Sequence, residues 1–166
     1  MEIEHKFLVR GPFKHLSRSC THIVQGYLSD DPSRTVRIRI RNNEATLTIK
    51  GGSSIDGLSR YEWEKKIDID EARQLMDLCL PGTIDKHRYI VEWAGRNWEI
   101  DEFHGPLEGL VMAELEVPTP DTTFELPPFI GKEVTGDPRY YNSQLRKTDS
   151  KISLSLLTKI LLSGES

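Results

Sequence analysis

The sequence predicts an α+β protein that is mainly β: an eight-stranded antiparallel β-barrel, closed around a tunnel, with helices packed on its outside. Eight segments alternate polar and apolar residues, which is typical of β-strands. Most joints between them are short and rich in turn residues, so neighbouring strands are expected to be antiparallel. In several segments, residues of like charge share one face of the strand. That pattern is explained if the charged faces line a lumen.

The eight predicted strands all precede residue 118. They lie near residues 2–9, 22–29, 35–41, 45–50, 59–69, 85–93, 96–103 and 110–117. The joints between them carry turn-forming residues, as at 29–33, 42–44, 51–54, 94–97 and 105–106. Eight strands are enough to close a barrel that holds one small ligand.

Helices are fewer. Asp70 can cap a helix that runs to residue 80 and is stopped by Pro81 and Gly82. A second amphipathic helix is predicted from Ile152 to Leu162, and shorter helical pieces at 12–17 and 141–146. Residues 118–128 are predicted to be an irregular crossing. We expect the amphipathic helices to cover the apolar outer faces of the strands.

Composition favours one domain over residues 1–166, because 37 % of the residues are hydrophobic and can form a core. The net charge of −4 argues against a protein that binds nucleic acid over its general surface, so no nucleic-acid partner is expected. No apolar run approaches the roughly 18 residues of a membrane span. The two distant cysteines fit reduced thiols, which predicts a cytoplasmic protein. A homodimer is left open as the oligomeric state.

The charged faces allow two interpretations. On any single strand, a polar face is ordinarily the solvated side of an antiparallel sheet. Solvated faces usually mix signs, however, since like charges that face each other across strands are destabilising. If these faces point inward, the lumen must be wet and must contain ions. A polyphosphate together with Mg²⁺ or Mn²⁺ would compensate both signs at once.

A set of short motifs occurs in order along nearly the whole chain. They are Glu2-x-Glu4-x-Lys6, Arg37-x-Arg39, Thr48-Ile49-Lys50, Arg60-Tyr61-Glu62-Trp63-Glu64, Lys86-x-Arg88-Tyr89, Glu99-Ile100-Asp101-x-Phe103, Glu114-x-Glu116, and a tail from Glu133 to Asn142. One such motif is weak evidence, but eight in sequence are specific. Together they resemble the triphosphate tunnel metalloenzymes, also called the CYTH domain family.

That resemblance implies a charged tunnel that binds the triphosphate group of a small-molecule polyanion. It implies a phosphate clamp made of Lys6, Arg37, Arg39, Lys50, Lys86 and Arg88. It also implies metal ligands among Glu2, Glu4, Asp101, Glu114 and Glu116. Glu62 and Glu64 would support the clamp or the metal. The five histidines show no metal-ligand spacing, and no chemistry is assigned to them.

One further segment, Gln25-Gly26-Tyr27-Leu28, resembles the small bacterial members that are specific for inorganic tripolyphosphate. In those members a tyrosine and a lysine, here Tyr27 and Lys86, form a catalytic dyad. An ammonium among other cations has a lowered pKa, so Lys86 could accept a proton from the attacking water. The alternatives are an ordinary strand tyrosine and a lysine that only clamps phosphate.

The resulting hypothesis is metal-dependent hydrolysis of inorganic tripolyphosphate to pyrophosphate and phosphate. Other functions stay open from the sequence. The same scaffold could carry adenylate cyclase or nucleoside or thiamine triphosphatase activity, or it could bind polyphosphate without catalysis. A lipocalin-like carrier is disfavoured, because it needs an apolar lumen.

Overall fold

The computed structural model describes residues 1–147, and these residues form nine strands and two α-helices. The strands are β1 (Glu2–Val9), β2 (Ser17–Ser29), β3 (Arg34–Arg41), β4 (Glu44–Ser53), β5 (Ser59–Ile67), β6 (Ile84–Trp93), β7 (Arg96–Phe103), β8 (Val111–Glu116) and β9 (Ile130–Glu133). The helices are α1 (Ile69–Asp77) and α2 (Asn142–Leu145). Short 3₁₀ turns lie at Lys14–Leu16, Gly105–Leu107 and Pro138–Tyr140.

Eight of the strands close into an antiparallel barrel. Their order is β5, β4, β3, β2, β6, β7, β8 and β1, and β1 pairs back onto β5. The closing seam is short, with Glu2 opposite Arg60 and Ile3 opposite Ser59. The barrel predicted from the sequence is therefore confirmed.

A ninth strand was not predicted. β9 pairs with the end of β1, where Phe7 lies opposite Glu133 and Val9 opposite Ile130. It has only four residues, and one of them is a glycine. So short a segment shows no alternation that could distinguish it from the irregular chain before it.

The predicted helix after β5 is present, but Asp70 is not its cap. Asp68 holds that position, since its side chain accepts hydrogen bonds from the backbone N–H groups of Asp70 and Glu71. The helix ends at Asp77, three residues earlier than predicted. The piece at 12–17 is only a 3₁₀ turn, while α2 lies inside the predicted 141–146. The helix predicted from Ile152 to Leu162 lies outside the described residues.

The outer surface of the barrel is covered differently on its two sides. On one side α1 packs over β2, β3 and β4, with Ala72 against Ile38 and Ala45. On the other side, Phe13 and Phe129 belong to a buried cluster on the outer faces of β1, β6, β7 and β8. Phe13 precedes β2, and Phe129 ends the chain that connects β8 to β9. Within the described chain, the cover is thus one helix and irregular segments, not a complete helical layer.

The interior of the barrel is charged at one end and apolar at the other. Inward-facing positions run from Lys6 to Leu8 on β1 and from Glu114 to Met112 on β8, because side chains alternate faces. The apolar end also includes Ile84 and Phe103 from β6 and β7, together with Tyr140 and, from α2, Leu145. The charged lumen predicted from the sequence therefore occupies only part of the barrel.

Two smaller observations complete the fold. Among residues 1–147, no helix is long and apolar enough to cross a membrane. Cys20 and Cys79 are both free thiols.

Candidate active site

The charged end of the barrel interior is formed by alternate residues of seven strands. The antiparallel register places many of them directly opposite one another: Glu4 faces Glu116, Lys6 faces Glu114, Arg88 faces Asp101, and Lys50 faces Glu62. Because β-strand side chains have a period of two, each x in the sequence motifs points away from the lumen. Ile38 and Leu115, for example, are buried on the outer side.

The cavity at this end has a wide mouth of about 430 Å³, within the range of small-ligand sites. The mouth and the deeper chamber share Glu2, Glu4, Arg37, Arg39, Lys50, Arg88 and Glu114. Tyr27 and Lys6 line the deeper chamber, while Glu62, Glu64 and Glu116 line the mouth. Of the site residues predicted from the sequence, only Lys86 and Asp101 do not line the cavity.

Three carboxylates converge in the cavity: Glu4, Glu99 and Glu114. Each offers one oxygen, and these oxygens all lie within 4.8 Å of one another. Glu99 was not among the predicted metal ligands, although it shares its strand face with Asp101 and was quoted in the same motif. Parity along β7 was the available signal for it.

The three carboxylates differ in how their charge is compensated. Burial, together with the negative charges of Glu114 and Glu2, raises the pKa of Glu4 well above its usual value. Burial acts on Glu114 in the same direction. There the positive charges of Lys6 and Arg88 outweigh it and lower the pKa to about 2. Glu4 has no salt bridge to a cation within residues 1–147, and the nearby charges of Lys50 and Lys6 do not offset its burial and its acidic neighbours.

A second acidic group lies where β1 meets β4 and β5. The Nζ of Lys50 donates to Glu2 Oε1 at 2.8 Å, and this pairing outweighs burial and lowers the pKa of Glu2. Burial and a hydrogen bond with Glu2 raise the pKa of Glu62 to about 7. The pKa of Glu116 is also raised, first by burial and then by Glu2 and Glu99.

The cations Arg37 and Arg39 project from β3 into the same cavity. Arg37 donates through Nη2 to Thr48 Oγ1 at 3.2 Å, and its nearest carboxylate oxygen, on Glu64, is 3.8 Å away. Its Nε is buried and has no hydrogen-bond partner among residues 1–147. Arg39 donates through Nε to Gln25 Oε1 at 2.9 Å and has no salt bridge within the described chain. Burial and the neighbouring Arg37 and Arg88 lower the pKa of Arg39 to about 9, so it stays cationic at neutral pH.

Lys86, Arg88 and Asp101 form a buried ion cluster in the wall of the lumen. Arg88 donates to both oxygens of Asp101, from Nε at 2.7 Å and from Nη2 at 2.8 Å. Lys86 donates to Asp101 Oδ2 at 2.7 Å. These cations overcome burial and hold the pKa of Asp101 far below its usual value. Burial, reinforced by Arg88 and Arg39 against the opposing effect of Asp101, lowers the pKa of Lys86 to about 7.

A network of amides connects this cluster to Tyr27. Lys86 Nζ donates to Asn142 Oδ1 at 3.0 Å, and Gln25 Nε2 donates to the same oxygen and to Tyr27 Oη, each at 3.2 Å. Tyr27 and Lys86 are thus connected by hydrogen bonds through Gln25 and Asn142. Both amides stand in the motifs quoted from the sequence, but neither was predicted as a site residue.

The sequence profile of the CYTH domain matches residues 1–141 of the chain. The protein belongs to the CYTH domain family. An inorganic triphosphatase of Acetivibrio thermocellus is 45 % identical over 152 residues, which cover 90 % of this chain and 96 % of that protein. An inorganic triphosphatase of Nitrosomonas europaea is 36 % identical over 149 residues, covering 87 % of this chain and 95 % of that protein.

A solved crystal structure of an inorganic triphosphatase agrees with the CYTH assignment. It is 32 % identical and aligns with a TM-score of 0.65, over 91 % of this chain and 97 % of that one. The resemblance drawn from the sequence motifs is therefore confirmed at the level of family and fold.

Proposed function

We propose that this CYTH protein is a metal-dependent inorganic triphosphatase, which hydrolyses tripolyphosphate to pyrophosphate and phosphate. The proposal rests on one observation: within residues 1–147, some cations of the cavity lack a close anionic partner and one carboxylate lacks a close cationic partner. Within residues 1–147, Arg37 has no carboxylate oxygen closer than 3.8 Å, and Arg39 and Glu4 have no salt bridge. A polyanion bound with a divalent metal compensates both. The inorganic triphosphatases that are 45 % and 36 % identical to this chain support the same substrate class.

The cations of the cavity bind the substrate. Arg37 and Arg39 are the first choice for the phosphoryl oxygens, because few groups of the protein compete for them. Lys6, Lys50 and Arg88 also line the cavity, and each is paired with a carboxylate. They contribute positive charge from fixed positions. In phosphoryl transfer, positioning and stabilisation of spread-out charge are the main tasks of the protein.

The carboxylates fit a hard divalent cation, Mg²⁺ or Mn²⁺, because such ions prefer oxygen ligands. Glu4, Glu99 and Glu114 would hold it, with Glu2 and Glu116 beside them. When bound, the ion would polarise phosphoryl oxygens and neutralise charge that develops on them. Asp101 remains a predicted ligand, yet both of its oxygens already accept hydrogen bonds from Lys86 and Arg88. We therefore assign it the role of positioning those two cations.

Lys86 is proposed as the proton acceptor for the attacking water. Its lowered pKa gives a substantial neutral fraction near pH 7. The Nζ is one side chain away from the cavity, since Asn142, to which it donates, lines the chamber. Tyr27 lines the chamber as well and is held by Gln25, so it is placed to orient the water. Glu64 keeps Thr48 in place through a 2.8 Å hydrogen bond, and Glu62 completes the acidic mouth.

The test is a substrate comparison with Mg²⁺ and with Mn²⁺. Purified protein is assayed for phosphate release from tripolyphosphate, ATP and thiamine triphosphate, with cyclic AMP measured alongside. We expect tripolyphosphate to be strongly preferred. A preference for ATP, or cyclic AMP formation, would replace the proposal with the nucleotide alternative. Binding of tripolyphosphate without turnover would indicate the non-catalytic module.

A variant tests the metal role separately. Glu4→Gln should lower kcat/KM by about 100-fold or more, because a ligand is lost while the side chain keeps its shape. Glu71→Gln is the matched control and should keep wild-type activity, because Glu71 is exposed on α1, which packs on the outside of the barrel. Wild-type turnover by Glu4→Gln at saturating Mg²⁺ would contradict the assignment. The homodimer, the cytoplasmic location and the absence of nucleic-acid partners remain predictions.

A further inference from the structure

Three histidines and one aspartate meet on the outer wall of the barrel, on the face opposite the tunnel. His22 belongs to β2, Asp85 and His87 belong to β6, and His104 follows β7. The register places His22 directly opposite His87. We call these four residues the outer histidine cluster. None of them lines the tunnel cavity.

Two imidazoles of the cluster point ring nitrogens at each other. Nδ1 of His87 and Nε2 of His104 are 2.6 Å apart, so one of them holds a proton that the other accepts. When neutral His87 carries its proton on Nε2 and neutral His104 carries its proton on Nδ1, both facing nitrogens have free lone pairs. Two nitrogens bound to one Zn²⁺ at about 2.0–2.1 Å in tetrahedral geometry would be roughly 3.3 Å apart. A small separation of the two rings is therefore enough to admit an ion.

His22 is the third imidazole, and a carboxylate fixes its tautomer. Its Nε2 lies 2.7 Å from Asp85 Oδ1, so in the neutral ring Nε2 carries the proton and Nδ1 is free to coordinate. Histidine ligands of metal ions usually donate their other N–H to a carboxylate in this way. The rings of His22 and His87 are stacked with centroids 4.8 Å apart. In the part of the chain that the structure describes, the three nitrogens do not lie within 4.8 Å of one another. Binding the ion would therefore require the His22 ring, whose side chain is about half exposed, to turn Nδ1 towards the other two nitrogens.

We propose that the outer histidine cluster binds one borderline divalent transition-metal ion, of the class of Zn²⁺. His22, His87 and His104 would supply the nitrogen ligands, and Asp85 would orient His22. Imidazole ligands favour such an ion, whereas Mg²⁺ prefers oxygen ligands like the carboxylates of the tunnel. The two sites therefore select different metals, and the outer site is independent of the proposed triphosphatase activity.

The position of the cluster suggests what the ion does. It would connect β2, β6 and the chain after β7 across three neighbouring strands. On β6, His87 lies between Lys86 and Arg88, whose side chains point to the other face. An ion on the outer wall would thus brace the strand that carries two cations of the tunnel. An ion that binds only the folded protein also raises its thermal stability.

The experiment is a Zn²⁺ titration of the metal-stripped full chain, carried out with excess Mg²⁺ present to occupy the tunnel carboxylates. Isothermal titration calorimetry gives stoichiometry and affinity, and thermal unfolding gives Tm. We expect one Zn²⁺ per chain and a Tm increase of about 5 °C or more once Zn²⁺ exceeds its Kd about 100-fold. Cu²⁺ bound at the same place should show nitrogen hyperfine structure in its EPR spectrum.

The variant for this test is His87→Gln combined with His104→Gln, which should weaken Zn²⁺ binding about 100-fold or more and remove the Tm increase. His22→Gln alone, at a half-exposed position, should weaken it without endangering the fold. His15→Gln is the control, because His15 is exposed in the 3₁₀ turn before β2 and does not belong to the cluster. Mg²⁺-supported tripolyphosphate hydrolysis should be unchanged in His22→Gln. No Zn²⁺ binding by wild type, or equal binding by wild type and His22→Gln, would overturn the proposal.

Discussion

Asp101 and Lys86 show how a buried carboxylate and a buried ammonium beside a charged cavity can differ in how firmly each keeps its charge. Asp101 accepts from two cations and holds its charge, while Lys86 shares that carboxylate with Arg88. The guanidinium of Arg88 is the better partner for Asp101, because it donates two parallel hydrogen bonds. Lys86 is therefore the member of the cluster that most readily loses its proton.

Replacing Lys86 by arginine separates charge from proton transfer. Lys86→Arg keeps a cation beside Asp101 but cannot lose a proton near neutral pH. Since general-base catalysis contributes about 10²–10⁴-fold, we expect kcat to fall by about 100-fold or more while KM changes little. The measurement is steady-state phosphate release from tripolyphosphate with saturating Mg²⁺.

The pH dependence of activity is a second test of Lys86 as the proton acceptor. The rate of the wild type should rise with pH as Lys86 loses its proton. This ascending limb should have its midpoint at or above pH 7, because a bound polyanion favours the ammonium form of Lys86. Lys86→Arg should lack that limb. A wild-type rate or a retained limb in the variant would leave Lys86 as a phosphate clamp only.

Asp101→Asn tests whether this residue positions cations or binds metal. The variant leaves Lys86 and Arg88 buried without their main counter-charge, so the free energy of unfolding should fall by about 3–5 kcal/mol. Urea unfolding at pH 7 measures this loss. Mn²⁺ affinity, followed by EPR, should fall less than in Glu4→Gln. A larger loss of Mn²⁺ affinity than in Glu4→Gln would restore Asp101 as a ligand.

The same pair predicts a pH dependence of stability. The pKa of Asp101 is depressed in the folded protein, so its contribution is fully present above the unfolded value of about 3.9. It is lost as pH falls below that value towards the folded pKa. The wild type should therefore lose more stability between pH 5 and pH 3 than Asp101→Asn does.

At the scale of elements, α1 and the residues that follow it lie so close to β2 that Gly26 has no room for a side chain. A Cβ there would lie 2.9 Å from Cβ and Sγ of Cys79 and from Sδ of Met76. Gly26→Ala should therefore lower the free energy of unfolding by about 1–3 kcal/mol, as overpacking does. Gly51→Ala on β4 is the control, because its Cβ would make only an ordinary 3.4 Å contact with Tyr61. Equal stability of the two variants in urea would show that the helix can shift outward.

The eight barrel strands and α1 were predictable because alternation and turn residues are local signals. β9 and the cap of α1 were not, since a four-residue strand has no period and Asp68 and Asp70 are equivalent as isolated capping residues. The apolar end of the lumen was missed for another reason. Leu8 continues the inward face of Lys6 on β1, and Met112 continues that of Glu114 on β8. The inward face therefore changes from charged to apolar along each of these strands.

The candidate site was predictable as a set of like-charged strand faces, but not as a set of partners. Parity places Glu99 and Asp101 on the same face, yet only the structure shows Glu99 beside Glu4 and Asp101 beneath two cations. Which carboxylate meets which cation depends on register across strands that are distant in sequence. Gln25 and Asn142 are 117 residues apart, and no local pattern predicts their hydrogen bond.

For the whole molecule, the seam between β1 and β5 is the shortest junction in the closed barrel. It has two paired positions, whereas β6 and β7 are paired continuously from Lys86–Phe103 to Trp93–Arg96. Across this seam Lys50 of β4 donates to Glu2 of β1, and the backbone N–H of Glu4 donates to Leu58. The seam therefore depends on residues that also line the cavity.

This coupling predicts that ligand binding closes the barrel more firmly. In hydrogen exchange of the free protein, amides of residues 2–4 and 58–60 should exchange faster than those in the middle of β6 and β7. A non-hydrolysable tripolyphosphate analogue with Mg²⁺ should slow the seam amides by about tenfold or more, because a ligand that contacts both Glu4 and Lys50 stabilises the closed form. Lys50→Met should reduce that protection, and Lys65→Met, exposed on the outer face of β5, should not. Equal protection of the seam and of β6–β7 in the free protein, or no change with the analogue, would show that the barrel is equally closed without its substrate.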